Sequence, residues 1–220
     1  IYTGEDTLSL HDALPILADY EPDILYQKQV EAYYADPELN KPVGRFGNAA
    51  DKWGLANWMA AAVADEADAD VGFYHIGGVR LDSIPAGGVS AAKVYGLEPF
   101  GTLVARMEMT PAQMRRMIVS KYNDPVNAKE AHRIDLISTT PYVIVTDAAD
   151  NALDVQFPNL REGRKYKVAV SDYIYRNYKD MEYTGGEITV EKVADILLEE
   201  LRDDSPLKID NTPRQRVVRK

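Results

Sequence analysis

The sequence predicts an α+β fold, with a mixed central β-sheet flanked by helices. Three observations lead there. An apolar run, Val71–Tyr74, has the length and composition of a buried strand and stops at a glycine pair, Gly77-Gly78. Three further strand-like runs, Leu103–Met109, Tyr142–Thr146 and Val168–Val170, supply partners for it. Between and after them lie segments with apolar residues at helical spacing and capping residues at their starts. At 220 residues, 45% hydrophobic and 27% charged, the chain has the composition of an ordinary globular protein and can hold one sizeable domain or two small ones. It has no cysteine, hence no disulfide framework, and no run of eighteen or more apolar residues of the kind that spans a membrane.

Residues 1–16, IYTGEDTLSLHDALPI, resemble the conceptual translation of a short-read sequencing adapter. Asp6 to Ile16 reads as its constant part, Ile1 to Thr3 as its upstream part, and Gly4-Glu5 as the variable index. The competing reading is a native helix on Leu8, Leu10, Leu14 and Leu17. Under the adapter reading the segment stands outside the fold, and the native N-terminus lies further upstream. Setting it aside leaves 25 basic against 32 acidic residues, a charge of −7 rather than −10. That balance disfavours nonspecific nucleic-acid binding, which needs lysine and arginine against many phosphates. It does not disfavour a single phosphate on a small ligand, which needs one local cation.

Glu21 to Ala35 reads as a helix with Pro22 at its first turn and Ile24, Leu25, Val30 and Tyr33 or Tyr34 as its apolar stripe. It is either a linker over Leu17–Asp36 or the first helix of the domain. Pro42–Phe46 reads as a short strand. Asn48 or Asp51 then caps a helix to about Ala67, whose Trp53 and Trp58 read as core packing, the competing reading being a ligand platform. Ser90–Tyr95 is a short helix. Thr110 caps another, with Pro111 at its first position, that runs to Tyr122. Ile134–Thr146 is strand-like with an interruption at Thr139-Thr140-Pro141, and Asp150-Asn151-Ala152 turns it into a hairpin with Leu153–Phe157. Tyr166–Tyr175 reads as an alternating strand. Gly185-Gly186 breaks the chain before a last helix, capped by Thr189, that buries Val193, Ile196, Leu197 and Leu201. Leu207–Ile209 and Arg216–Val218 are short strands.

The chemistry-bearing residues gather around the first strand. Gly77 and Gly78 at its end let a ligand approach the backbone, because no Cβ intervenes. Arg80 beside them has the fork geometry that grips a phosphate or carboxylate; the competing reading pairs it with Asp82 or Glu98. His75 is either a ligand donor or a hydrogen-bonded histidine at a strand end. Phe100, in the turn Pro99-Phe100-Gly101-Thr102, offers a flat apolar face to a planar ligand. Lys52 and Arg45 are further basic candidates, against the reading of solvated surface charges.

Gly77-Gly78-Val79-Arg80 after a strand and Pro99-Phe100-Gly101-Thr102 before the next resemble the C-terminal domain of the 5'-nucleotidase family, which carries Gly-Gly-x-Arg and Pro-Phe-Gly-Asn at this spacing. The resemblance covers roughly Pro22 to Val218. It implies a 5'-nucleotidase C-terminal fold over 37–220, with 17–36 as linker or first helix. It also implies that Arg80 holds the substrate phosphate and that Phe100 and Tyr173 sandwich a base, with Gly77, Gly78, Gly101, Thr102 and His75 around them; the competing reading of Tyr173 is core packing. Asp180 is the replacement for an aspartate in the family's Gly-rich turn, here Asn177-Tyr178-Lys179-Asp180-Met181. The sequence departs from the family at that turn, at Thr102, and at Thr139 beside Ser138, where the family has Ser-Gly near the nucleoside.

The parent family hydrolyses phosphate esters on two divalent metal ions held by an N-terminal metallophosphatase domain. With His11 set aside this chain has only His75 and His132, and no Asp-x-His, Gly-Asn-His-Asp/Glu or Gly-x-Ser-x-Gly motif. The expectation is therefore a substrate-recognition domain that binds no metal or cofactor itself and is inactive alone. Its partners are a nucleotide or small phosphate ester and a metallophosphatase domain, in the same chain or a separate protein. Its expected location is the periplasm, cell surface or outside. Two alternatives are a stand-alone noncatalytic nucleotide- or phosphate-binding module and an inactive domain with a decayed pocket.

Overall fold

A computed structural model describes residues 23–34, 36–129 and 133–220, which fall in two compact units, 1–40 and 41–220. The segment 1–16, Pro22 and His132 lie outside the described residues. In the first unit, helix α1 spans Ile24–Tyr34 and a single turn, α2, spans Pro37–Asn40. The Asp23 carboxylate accepts from the Leu25 amide at 2.8 Å, satisfying a donor of the first turn.

The second unit is built on a five-stranded sheet. Its strands are β3 (Val71–His75), β6 (Leu103–Met109), β7 (Leu136–Ser138), β10 (Tyr166–Ser171) and β11 (Thr184–Lys192), in the order β11-β6-β10-β3-β7. The β10–β3 pair is parallel and the other three are antiparallel, so the sheet is mixed. Every residue of β3 is buried, as a strand covered on both faces must be. Val71 and Phe73 pack with Met107, Val168 and helix α5 (Pro111–Tyr122) on one side, whereas Tyr74 packs with helix α3 (Lys52–Glu66) and helix α7 (Val193–Asp203) on the other. At Gly72 a Cβ would sit 2.1 Å from the Ala60 carbonyl oxygen, so glycine is what lets α3 lie directly on the strand.

The helices start where their capping residues stand. Asp51 accepts from Gly54 N at 2.8 Å at the head of α3. Ser90 accepts from Lys93 N at 3.3 Å at the head of α4 (Ala91–Leu97). Thr110 and Gln113 form a reciprocal capping box at α5, with Pro111 at its first turn. Trp58 is core, its indole N–H donating to Glu200 at 2.8 Å. Two small ladders complete the unit: β1 (Pro42–Phe46) with β5 (Gly87–Ser90), and β2 (Ala50–Asp51) with β4 (Ser83–Ile84).

Several expectations are corrected. Tyr142–Thr146 is not in the central sheet. It forms β8, the middle of a separate three-stranded sheet, parallel to β12 (Gln215–Arg219) and antiparallel to β9 (Ala152–Gln156). Thr139 already ties back to β3, its amide donating to the Gly72 carbonyl and its hydroxyl accepting from Gly72 N; Pro141, lacking an N–H, cannot extend that ladder. The strand from Tyr166 stops at Ser171, whose hydroxyl accepts from Ile174 N and caps helix α6 (Asp172–Asn177). Gly185-Gly186 does not end the chain's β-structure. Both lie within β11, which pairs with β6 through shifts in register, and Gly185 takes φ +59°. Thr189 is therefore a strand residue, and α7 begins at Val193, whose N–H donates to Thr102 O. Of Leu207–Ile209, only Leu207 makes a β-bridge, to Phe46.

Candidate functional site

β3 ends at His75, and a single 3-10 turn, Ile76–Gly78, carries the chain across the end of the sheet to Arg80. The Arg80 N–H donates to Leu97 O, at the last residue of α4, so the arginine stands beside the turn that precedes β6. That turn is organised by a buried carboxylate. Glu98 accepts from Thr102 Oγ1 at 2.5 Å and from the amides of Thr102 and Phe100 at 3.3 Å each. Gly101 takes φ +63°, the conformation that closes the turn. Three donors on one carboxylate fix the turn, and Phe100 stands 60% exposed on it. From the neighbouring strand end, α6 presents Tyr173, 48% exposed.

These groups surround one cavity of about 700 Å³, lined by Lys52, His75, Ile76, Gly77, Arg80, Asp82, Phe100, Thr102, Lys121, Val126, Asn127, Asp135, Tyr173 and Tyr178. The volume is in the range of small-molecule sites. Of the nine residues that the family resemblance assigns to the ligand site, six meet there: His75, Gly77, Arg80, Phe100, Thr102 and Tyr173. Three do not line it. Gly78 is packed against the imidazole of His75, where a Cβ would come 2.5 Å from Cε1. Gly101 shapes the turn from behind Phe100. Asp180 is exposed at φ +55° and accepts from Ser120 Oγ at 2.6 Å. Ser138 and Thr139 are likewise off the cavity wall, engaged in the β3–β7 edge. Arg45 is exposed on β1, and Lys52 is on the wall.

The charges divide unevenly. Lys52 Nζ reaches Asp82 at 3.1 Å and donates to Val79 O at 2.9 Å. Lys121 Nζ lies 3.8 Å from Asp135 and 5.0 Å from the Tyr178 ring centre, and Tyr178 Oη donates to Asp135. Arg80 has no ion pair or side-chain hydrogen bond among the described residues; its guanidinium lies 5.8 Å from the Phe100 ring centre. The Asp82 and Glu98 carboxylates that would have tied it up are committed to Lys52 and to Thr102. Burial, helped by the Lys121 charge, depresses the His75 pKa to about 4, so the imidazole is neutral at neutral pH. Burial and the adjacent Asp135 push the Tyr178 hydroxyl far up, keeping it a donor. Among the described residues no group of three or more His, Cys, Asp or Glu is placed to hold a metal ion, and no helix is long and apolar enough to cross a membrane.

Lys121, Asp135 and Tyr178 were not singled out from the sequence. Tyr178 had a signal: it is the aromatic within the segment that departs from the family turn. Lys121 and Asp135 had none, because they come together only when the end of α5 and the approach to β7 meet at one mouth.

The fold is shared with solved enzymes. A 5'-nucleotidase precursor from Thermus thermophilus superposes with a TM-score of 0.71 at 17% identity, over 90% of this chain and 44% of that one. The NAD nucleotidase of Haemophilus influenzae gives 0.66 at 15%, over 96% and 45%. A sulfate thiohydrolase of Thermus thermophilus, in complex with glycerol, gives 0.61 at 16%, over 92% and 40%. The chain thus spans less than half the length of each, and the likeness at this identity is one of fold. No curated protein matches the sequence. The family model described as 5'-nucleotidase, C-terminal domain matches residues 39–184, two thirds of the chain, which contain the Gly-Gly-Val-Arg turn, the Pro-Phe-Gly-Thr turn and Tyr173. The chain belongs to the 5'-nucleotidase C-terminal domain family.

Proposed function

We propose that this chain is the nucleotide-recognition part of a 5'-nucleotidase-like phosphoesterase. Arg80 takes the phosphate, Gly77 allows the ligand close to the backbone, and Phe100 and Tyr173 stack on the base. A metallophosphatase domain, in the same chain or a separate protein, supplies two divalent metals and the attacking water. Where the two share a chain, residues 17–36 are the linker between them or the first helix of this domain. The observation that carries this reading is the state of Arg80: a cation on a cavity wall, with its two nearby carboxylates engaged elsewhere and a half-open aromatic ring beside it. An unpaired guanidinium has all its donors available for a phosphate.

Calorimetry on the chain tests it, with AMP, adenosine and inorganic phosphate as ligands. Arg80→Ala is expected to weaken AMP and phosphate by about 10- to 100-fold, the worth of charge-assisted hydrogen bonds, and to leave adenosine unchanged. Phe100→Ala is expected to weaken AMP and adenosine alike. Absence of any binding at millimolar ligand, or equal loss of adenosine and phosphate in both variants, overturns the assignment.

A further inference from the structure

We infer that His75 and Gly78 act together as positioning residues for Tyr173, setting its ring so that one face is left for a planar ligand. The inference rests on the reading of Tyr173 as a ligand-stacking ring. The His75 imidazole lies parallel to the Tyr173 ring, with centres 4.5 Å apart and planes 22° apart. It also lies against Tyr74, at 5.2 Å and 24°, and its Nδ1 is 3.4 Å from the Ser171 hydroxyl that caps α6. The imidazole therefore bridges the buried strand and the helix that carries Tyr173. Tyr178 meets the Tyr173 ring edge-on at 6.2 Å and 80°, and is itself fixed by Asp135. With one face on His75 and an edge on Tyr178, Tyr173 has its other face left over; the residue is 48% exposed and lines the cavity.

Gly78 makes the imidazole's seat. A Cβ there would come 2.5 Å from Cε1, 2.6 Å from Nε2 and 3.1 Å from Nδ1 of His75, too close along the whole outer edge of the ring. Gly77, by contrast, has His75 Cδ2 no nearer than 3.9 Å and faces the cavity. The two adjacent glycines thus have different reasons to be glycine: one for the cavity, one for the histidine. A neutral imidazole suits this role, since it stacks without carrying a charge into a buried site.

The test compares His75→Asn, which keeps a polar group near Ser171 but removes the ring, His75→Phe, which keeps a ring, Gly78→Ala, and the double variant Gly78→Ala/His75→Asn. Two readouts are taken on the chain. One, free of ligand, is the NMR signal of the Tyr173 ring in tyrosine-labelled protein, identified by its loss in Tyr173→Phe. The other is calorimetric binding of adenosine and of inorganic phosphate. His75→Asn and Gly78→Ala are expected to move the Tyr173 signal toward its unstacked position and to weaken adenosine by about 2- to 12-fold, the range for one aromatic pair, with phosphate unchanged. His75→Phe keeps both within about twofold of wild type, and Gly78→Ala adds nothing once the ring is gone, as expected for residues acting through one contact. The inference is overturned if the Tyr173 signal is unmoved by His75→Asn and by Gly78→Ala, or if Gly78→Ala is equally harmful with and without the imidazole. If wild type binds no adenosine, the nucleotide reading falls while the Tyr173 signal still decides the positioning role. If wild type binds adenosine through Phe100 and His75→Asn changes nothing, only the positioning role falls.

Discussion

Acidification is expected to remove stability through His75. In the unfolded chain its imidazole titrates at 6.5, whereas in the folded protein burial and the Lys121 charge hold it at about 4. The folded pKa lies below the unfolded one, so the unfolded state takes up the proton first. The stabilisation is complete above pH 6.5 and is lost progressively as pH falls toward 4. Between pH 7.5 and 5.0 this single group removes about 2 kcal/mol. The figure barely depends on the folded value, because over that window nearly all the proton uptake is in the unfolded chain. For a chain of this size the loss corresponds to a fall of about 4–8 °C in melting temperature. The assay is urea denaturation of wild type and His75→Phe at both pH values. Phenylalanine keeps a ring against Tyr74 and Tyr173 but takes no proton. Glu66 and Glu200, whose carboxyls are pushed up mainly by burial, titrate in both proteins and cancel in the difference. Wild type should lose about 2 kcal/mol more than His75→Phe on going from pH 7.5 to 5.0. An equal loss in both would refute the claim that the imidazole is buried neutral.

Two further outcomes follow from the site's construction. Glu98→Gln replaces an acceptor-only carboxylate facing three donors with an amide that brings hydrogens of its own; it should cost about 1.5–3 kcal/mol in urea denaturation and weaken adenosine binding by loosening Phe100. Asp180→Asn should leave AMP and adenosine affinities within about twofold of wild type in calorimetry, because that carboxylate points to Ser120 and not to the cavity; a larger loss would put Asp180 back among the ligand contacts.

How much of the site was legible in the sequence depends on how local its causes are. The Gly-Gly-Val-Arg and Pro-Phe-Gly-Thr turns are short, and each is shaped by residues within or beside it: Ile76–Gly78 turn on themselves, and Glu98 accepts from Thr102 four residues on. They therefore announced Arg80 and Phe100. Gly78 and Asp180 were legible as residue types but not as roles. A glycine beside a histidine can serve the ligand or the histidine, and only the 2.5 Å approach to the ring separates the two. Asp180 sat where a motif suggested an aspartate, yet its φ of +55° turns it toward α5.

For the fold, sequence alone determined the elements whose periodicity and caps are contained in a few consecutive residues. Leu103–Met109 and Pro111–Tyr122 have the bounds expected, and α3 starts at its Asp51 cap. Tertiary structure alone decided which strands share a sheet. Tyr142–Thr146 has the composition of a central strand, but pairing is a choice among distant partners, and the break at Thr139-Thr140-Pro141 sent it to β9 and β12. It likewise decided the company of Arg80. Asp82 and Glu98 are near it in sequence, and a sequence cannot show that Lys52 and Thr102 reach those carboxylates first and leave the guanidinium on the cavity wall without an ion pair among the described residues.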